Sequence, residues 1–313
     1  MPVILIIIIL LILFALLGWA ADLAVKNIRL IALALRMKIF ALGVILGIMT
    51  TLPELMVGLN ATFHNVASLS VGNIMGGIVV VIGLVLGMSL ILNRKIDTAD
   101  NLRSLLPTSL ILLSPFFLGA DGSFGLFDGI VMIFLYLGLI FYLYFINYSH
   151  LPSRGIAIIG KQKIVKKIFI AIFGVLAVVL ISRAIIQITL ILLEQIKMSK
   201  LLVGLLLFSI GTNLLEIMIT VTAWRHKTSE LSLSYLTSSA FTNILVLGLL
   251  AILSPITFTI GPVYYALAFF VTLIIILFII FSHTKKSLSR LEGMILLMVY
   301  ILFVAFNLFL AGS

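Results

Sequence analysis

The stretch GIMTTLPELMVGL, residues 47–59, decides the fold, because it places a glutamate and a proline inside a run that is otherwise apolar enough to span a membrane. A carboxylate at the centre of a bilayer costs about 2.5 to 3.5 kcal/mol on insertion scales. Glu54 therefore indicates a protein that uses a buried carboxylate. The composition of the whole chain shows which class of protein that is.

The composition is that of a polytopic helical membrane protein. Of 313 residues, 63% are hydrophobic and 10% are charged, the mean hydropathy is +1.38, and apolar runs recur from one end to the other. The absence of cysteine excludes disulfide frameworks, zinc-thiolate sites and thiol nucleophiles. Basic loops that orient a membrane protein account for the net charge of +10, so we expect the lipid bilayer, and no nucleic acid, as a partner.

Apolar runs of about 17 to 25 residues predict ten membrane-spanning helices. The first run has no basic n-region and is interpreted as a retained helix rather than a signal peptide. The predicted spans lie near residues 2–21, 38–60, 67–92, 104–120, 124–147, 168–193, 201–223, 231–254, 262–282 and 293–311.

The distribution of basic residues predicts the orientation. Seventeen of the 20 Lys and Arg residues fall in one alternate set of predicted loops, whereas the opposite set holds only Lys197 and Lys200. The basic side of a membrane protein is normally cytoplasmic. We therefore expect a multi-pass protein of the cell membrane with both termini outside.

The chain also repeats itself when it is shifted by 162 residues. GIMTTLPELMVGLNA then falls on SIGTNLLEIMITVTA, and the polar pairs Thr50 with Thr212 and Glu54 with Glu216 are identical. Apolar composition does not explain matches between polar residues, so an internal duplication is the better account.

The duplication predicts three regions of sequence. Residues 1–147 and 168–313 each hold five spans, and a basic cytoplasmic linker at 148–167 joins them. Because five is odd, the two halves insert with opposite orientation, as in secondary transporters built from inverted repeats. The predicted fold is thus an all-α membrane protein of ten helices in two inverted five-helix repeats.

This symmetry brings the two intramembrane glutamates, Glu54 and Glu216, together near the midplane. Two carboxylates that meet in a low dielectric repel, so they must share protons or hold cations. Pro53 removes a helical hydrogen bond, which allows backbone carbonyls to turn toward a site. Oxygen ligands suit hard cations such as calcium, sodium or magnesium. Four neutral residues offer further oxygen atoms within about one helical turn of a glutamate. They are Thr50, Thr51, Thr212 and Asn213.

Five motifs resemble the sodium/calcium exchanger superfamily. TTLPE at 50–54, GNIMGG at 72–77 and LVLG at 84–87 are similar to its first alpha-repeat, whose pattern is GTSLPE followed by GNxxGSN. GTNLLE at 211–216 and SSAFTNILVLG at 238–248 resemble the second. The resemblance implies a ten-helix antiporter in which the two glutamates coordinate calcium and, with neutral neighbours, sodium.

Carried over by position, the resemblance implies a set of cation-binding side chains in both halves. Glu54, Glu216, Thr50 and Thr212 are the expected metal ligands within it. The full set is Thr50, Thr51, Glu54, Thr212, Asn213, Glu216, Ser239 and Asn243.

The sequence departs from the family pattern at several of these positions. Met49 replaces a Gly, Leu215 replaces the Pro of the second motif, and Asn213 replaces a Ser. In the third span, Gly77 and Val81 stand where the family offers a Ser and an Asn or Asp. The first half therefore supplies fewer neutral ligands than the second.

Each candidate ligand also has a purely structural interpretation. Either glutamate can be a protonated carboxyl that is hydrogen-bonded to a neighbouring helix. The threonines can donate to a carbonyl one turn earlier. Asn213, Ser239 and Asn243 can join helices by hydrogen bonds without binding an ion.

The expected function is a secondary cation antiporter that exchanges sodium for calcium by alternating access, with inorganic cations as partners, no cofactor and no enzymatic activity. An exchanger linked to protons or potassium is the alternative within transport. A non-transporting descendant of the exchangers is the alternative of another class. An intramembrane hydrolase is disfavoured because no serine, histidine or metal constellation accompanies the carboxylates. The oligomeric state stays open.

Overall fold

The computed structural model describes residues 2–34, 47–97, 102–147, 161–196, 198–225, 229–284 and 287–312. Within these ranges the protein is a helical bundle with two minimal β-pairs. Seven of its helical segments are long and apolar enough to cross a membrane, and two shorter apolar ones lie at Leu106–Leu118 and Ser239–Leu253. The spanning segments are Val3–Ile28, Ser68–Asn93, Leu126–Phe145, Ile164–Gln195, Lys200–Met218, Pro262–His283 and Arg290–Ala311.

The described helices fall into two groups in chain order. The first group comprises α1 (Val3–Ala34), α2 (Leu52–Phe63), α3 (Ser68–Val79), α4 (Gly87–Asn93), α5 (Leu102–Ile111), α6 (Ser114–Leu118) and α7 (Leu126–Asn147). The second group comprises α8 (Lys161–Gln195), α9 (Lys200–Val203), α10 (Ser209–Thr212), α11 (Leu214–Arg225), α12 (Ser229–Leu253), α13 (Pro262–Thr284) and α14 (Arg290–Gly312). Two π-helical segments, Val80–Leu86 and Gly204–Phe208, continue α3 into α4 and α9 into α10.

Two helices extend beyond the predicted spans. The first span was predicted near residues 2–21, and α1 continues to Ala34. Lys26 Nζ donates to Asp22 one turn earlier at 2.7 Å, a pairing that favours helix. The predicted linker at 148–167 is helical in its last part, since α8 begins at Lys161. The rest of that linker lies outside the described residues, as do the first residues of the predicted span at 38–60.

The predicted span at 104–120 is broken in its middle. Helix α5 ends at Ile111 and α6 starts at Ser114, with prolines at Pro107 and Pro115. A proline cannot donate the helical hydrogen bond, so a single straight helix is disfavoured here.

Each of the two β-pairs joins strands that lie far apart in the sequence. Strand β1 (Lys95–Asp97) pairs antiparallel with β4 (Ser287–Ser289), and β2 (Ser123–Phe124) pairs antiparallel with β3 (Ile256–Thr257). Gly122, just before β2, has φ of +84°, and a Cβ there would lie 3.0 Å from the Phe258 carbonyl oxygen. The turn that leads into β2 therefore requires glycine.

The bundle has two apolar cores. The larger core lies among α3, α4, α7, α12, α13 and α14. The smaller core joins α1, α2 and α8, with α1 and α8 packed along each other, and it includes Phe14, Val57 and Val178. Glycines permit the closest helix crossings: a Cβ at Gly72 would lie 2.1 Å from the Leu201 carbonyl oxygen, and one at Gly204 would lie 2.2 Å from that of Leu69.

Candidate cation site

Two helix interruptions at equivalent positions organise the site. Thr51 separates a helical turn at residues 47–50 from α2, and Asn213 separates α10 from α11. Their backbone angles are almost the same, with φ and ψ of −91° and 10° at Thr51 and −85° and 12° at Asn213. Both lie near the sparsely populated bridge region, which is common at functional sites.

Each interruption places a glutamate in the first turn of the helix that follows. Glu54 lies in the first turn of α2 and Glu216 in that of α11. Both side chains are fully buried, with 1% and 0% exposure. The two carboxyl groups lie close enough to interact electrostatically. The positive end of a helix dipole lies at each of these positions, and it offsets part of the cost of a buried negative charge.

The three candidate threonines are buried and donate to backbone carbonyls. Thr50 Oγ1 donates to Gly47 O at 2.9 Å, and Thr51 Oγ1 donates to Ile48 O at 3.0 Å. Each hydroxyl proton is thus used in a hydrogen bond to a carbonyl about one turn earlier, as the structural alternative predicts. These bonds leave the lone pairs of the Thr50 and Thr51 hydroxyl oxygens for a cation, because a hydroxyl can donate and accept at the same time.

Thr212 connects the two halves of the chain through Asn73. Its hydroxyl lies 3.0 Å from Asn73 Oδ1 and 3.1 Å from Phe208 O, and it also interacts with the carboxyl group of Glu54. Asn73 is completely buried on α3. The predicted ligand set omitted this residue. The signal was its amide in the middle of GNIMGG, because a polar amide inside an apolar spanning helix indicates a functional position.

The remaining candidates of the second half are also buried. Ser239 Oγ donates to Glu216 Oε1 at 3.0 Å, and Asn243 lies one turn further along α12. Asn213 Nδ2 donates to Ser209 O at 2.8 Å. All eight predicted site residues are therefore buried, at no more than 2% exposure.

Buried oxygen atoms without hydrogen-bond partners mark the centre of the site. Within the described ranges, Glu54 Oε2, Glu216 Oε2, Asn213 Oδ1 and Asn243 Oδ1 are buried and accept no hydrogen bond. An unsatisfied buried acceptor costs about 1 to 3 kcal/mol, and more when it is charged. Four such oxygens on neighbouring helices form a donor set that suits a cation.

At Gly77 and Val81 the wall of the site carries no polar side chain. Val81 is fully buried in the π-helical segment that follows α3. Gly77 faces two amides of the second half: a Cβ there would lie 3.3 Å from Asn213 Nδ2 and 3.4 Å from Asn243 Nδ2. Where the family offers polar side chains, this chain has an apolar valine at 81 and no side chain at 77.

A multi-pass helical bundle with a buried pair of carboxylates at helix interruptions defines a class, the membrane proteins that handle cations within the bilayer. The family follows from comparison with known proteins. The family model described as "Sodium/calcium exchanger protein" matches residues 5–145 and 166–309, and the chain belongs to this family of cation antiporters, which are transporters and not enzymes.

Relatives of known name or structure cover nearly the whole chain. The sodium/calcium exchanger MaX1 of Methanosarcina acetivorans is 23% identical over 91% of this chain and 93% of its own. A solved structure of the sodium-calcium exchanger NCX_Mj, soaked with Na⁺ and Sr²⁺, is 21% identical with a TM-score of 0.68, covering 96% of this chain and 98% of its own. The H⁺/Ca²⁺ exchanger CAX is 13% identical with a TM-score of 0.75, covering 99% and 87%. The two structures show that this chain shares their fold.

Proposed function

We propose that this protein exchanges calcium for sodium by alternating access around a site between α2, α3, α11 and α12. Glu54, Glu216, Thr50 and Thr212 bind the calcium ion. Sodium binds to the same carboxylates together with neutral oxygens of Thr51, Asn213, Ser239 and Asn243.

The four buried oxygens without partners carry this proposal. They comprise two carboxylate oxygens and two amide oxygens, with no sulfur or imidazole. Calcium prefers several oxygen ligands of which some are carboxylates, and sodium is likewise a hard cation that favours oxygen. Two carboxylates also neutralise one divalent ion. A cluster of three or more His, Cys, Asp or Glu, which a transition metal would favour, is absent from the described residues.

Ten spans in two inverted repeats, residues 1–147 and 168–313, provide the alternating-access frame. The equivalence of Thr51 and Asn213 supports this arrangement, because the two residues interrupt their helices at a spacing of 162 with the same backbone geometry. The β-pairs support it too: a shift of 162 carries β1 to residues 257–259, which overlap β3 at Thr257, and carries β2 to residues 285–286, directly before β4.

The protein lies in the cell membrane with both termini outside. The asymmetric distribution of Lys and Arg supports this orientation.

Exchange of calcium against protons is the second candidate function. Gly77 and Val81 offer no side-chain oxygen at two positions where the family has polar ligands, and sodium depends on several converging oxygens more than calcium does. Protons need only the two carboxylates. The fold likeness to CAX is compatible with this candidate as well.

Calcium uptake into proteoliposomes separates the two candidates. Vesicles that contain the purified protein are loaded with sodium at equal pH on both sides, or with acid at equal sodium. Uptake driven by the sodium gradient alone supports sodium/calcium exchange, and uptake driven by the pH gradient alone supports the second candidate. Absence of uptake under both gradients would contradict exchange of calcium by this protein.

A further inference from the structure

Gly77 is the point at which α3 touches two amide side chains of the second half. Asn213 Nδ2 and Asn243 Nδ2 lie 3.3 and 3.4 Å from the position that a Cβ would take. Contacts of 3.0 to 3.4 Å are tighter than nine in ten real Cβ contacts, so a side chain here would have to move at least one amide. The backbone of α3 at Gly77 thus packs against both amides.

In both amides the nitrogen atom, and not the oxygen atom, faces Gly77. Asn213 Nδ2 also donates to Ser209 O at 2.8 Å, and that bond requires a donor, so its nitrogen and oxygen cannot be interchanged. The nitrogen and oxygen of an amide project from opposite sides of the same carbon. With the nitrogens at Gly77, the oxygens point away from it, and both are buried without a partner in the described part of the chain.

Both amides are placed beside the carboxylates by their own helices. Asn213 lies directly before α11 and precedes Glu216 by three residues. Asn243 follows Ser239 by one turn on α12, and Ser239 donates directly to Glu216. Residues three or four apart share one face of a helix.

We infer that Gly77 is a specificity-determining position, at which the missing side chain orients the amides of Asn213 and Asn243 so that their oxygens serve a metal cation and not a proton. This inference rests on the proposed cation exchange. An amide oxygen coordinates calcium or sodium but is not protonated in the physiological pH range. Gly77 therefore sets the affinity for metal ions, while protons bind at the glutamates alone.

The test is Gly77→Ala, with Gly138→Ala as the matched control because nothing described lies within 4 Å of a Cβ at Gly138. We expect Gly77→Ala to raise the calcium concentration for half-maximal binding roughly tenfold, as measured by calorimetry with calcium chloride on purified protein. The pH dependence of binding should keep its midpoint. An unchanged calcium affinity, or an equal shift in Gly138→Ala, would overturn the inference.

A double-mutant cycle with Asn213→Ala tests whether Gly77→Ala changes the calcium affinity through the Asn213 amide. The shortened side chain at 213 leaves room for the added methyl, so the double variant should fold even if Gly77→Ala alone does not. Gly77→Ala should then cost less than half of its effect in the native chain, because contacts in one network are not additive. Fully additive losses would show that Gly77 does not act through the amides. Since binding is measured directly, absence of calcium flux in the native protein contradicts the proposed exchange and leaves this result interpretable.

Discussion

At the scale of single residues, charge separates the two glutamates from their polar neighbours. Glu54 and Glu216 are the side chains in the site that can carry a full negative charge, and each has one oxygen that accepts no hydrogen bond among the described residues. A divalent cation needs that charge, whereas a protonated carboxyl group needs only its shape and its hydrogen bonds. The two roles can therefore be distinguished by an isosteric amide.

Glu54→Gln and Glu216→Gln are each expected to abolish calcium-dependent flux while the protein still folds, since the amide keeps the shape and removes the charge. Flux into proteoliposomes and the thermal unfolding midpoint are the measurements. Glu194→Gln on α8 is the matched control, because that side chain is exposed and should tolerate the change. Retained flux in both site variants would contradict a charge-based site.

The neutral ligands are expected to be unequal between the halves. Asn243→Ala should reduce transport more than Val81→Ala, since Asn243 offers a buried oxygen without a partner and Val81 offers none. Val81→Asn should steepen the response to sodium if the core accepts it. Initial calcium flux against sodium concentration at fixed pH is the measurement. A steep, cooperative curve in the native protein that Asn243→Ala leaves unchanged would show that the ligand set is wrong.

At the scale of elements, the interruption of α10 and α11 changes the role assigned to proline. From the sequence, Pro53 was expected to open the helix, but Leu215 occupies the corresponding position in the second half. Both helices are nevertheless interrupted with the same angles. Pro53 sits in the first turn of α2, where a proline fits without breaking a bond. Proline is therefore compatible with the interruption and is not required for it.

Pro53→Ala is accordingly expected to retain calcium flux within about twofold and to lower the free energy of unfolding by no more than about 1 kcal/mol, through the greater freedom of the unfolded chain. Flux and thermal unfolding measured on the same preparation test this. Abolished flux in a folded Pro53→Ala protein would restore proline as the element that opens the helix.

The crossing of α3 with α9 is expected to be the least tolerant contact between helices. Gly204→Ala would place a methyl group 2.2 Å from the Leu69 carbonyl oxygen, and backbone on both sides leaves no flexible side chain to move. We expect a clear loss of thermal stability or of folded protein, measured by size-exclusion chromatography after heating, whereas Gly138→Ala should behave like the native chain. Equal stability of the two variants would contradict this packing.

Much of the site was predictable from sequence because its residues are polar in an apolar background. That contrast identified Glu54, Thr212 and Asn243, and the structure buries them together with the other candidates. Gly77 and Asn73 were not recognised as site residues, because their roles depend on which helix lies opposite. The length of α1 was missed because a charged residue ends an apolar run even where, as with Asp22 and Lys26, a partner one turn away keeps it helical.

At the scale of the whole molecule, the even number of predicted spans makes the orientation testable. A reporter fused after Ser313 is expected outside the cell, and one inserted near Gly160 is expected in the cytoplasm, because most basic residues lie on that side. Accessibility of the two reporters to a membrane-impermeant label is the measurement. Finding both on one side would contradict the ten-span arrangement.

The exchanged β-pairs also govern how the protein is made. Lys95 pairs with Ser289, so β1 leaves the ribosome long before its partner is synthesised, and β2 likewise waits for β3. The first half is thus inserted with two unpaired strand edges, one after α4 and one after α6, until the second half arrives. Completion of the fold therefore waits for the C-terminal part of the chain, whose strands β3 and β4 pair with the waiting edges of β2 and β1.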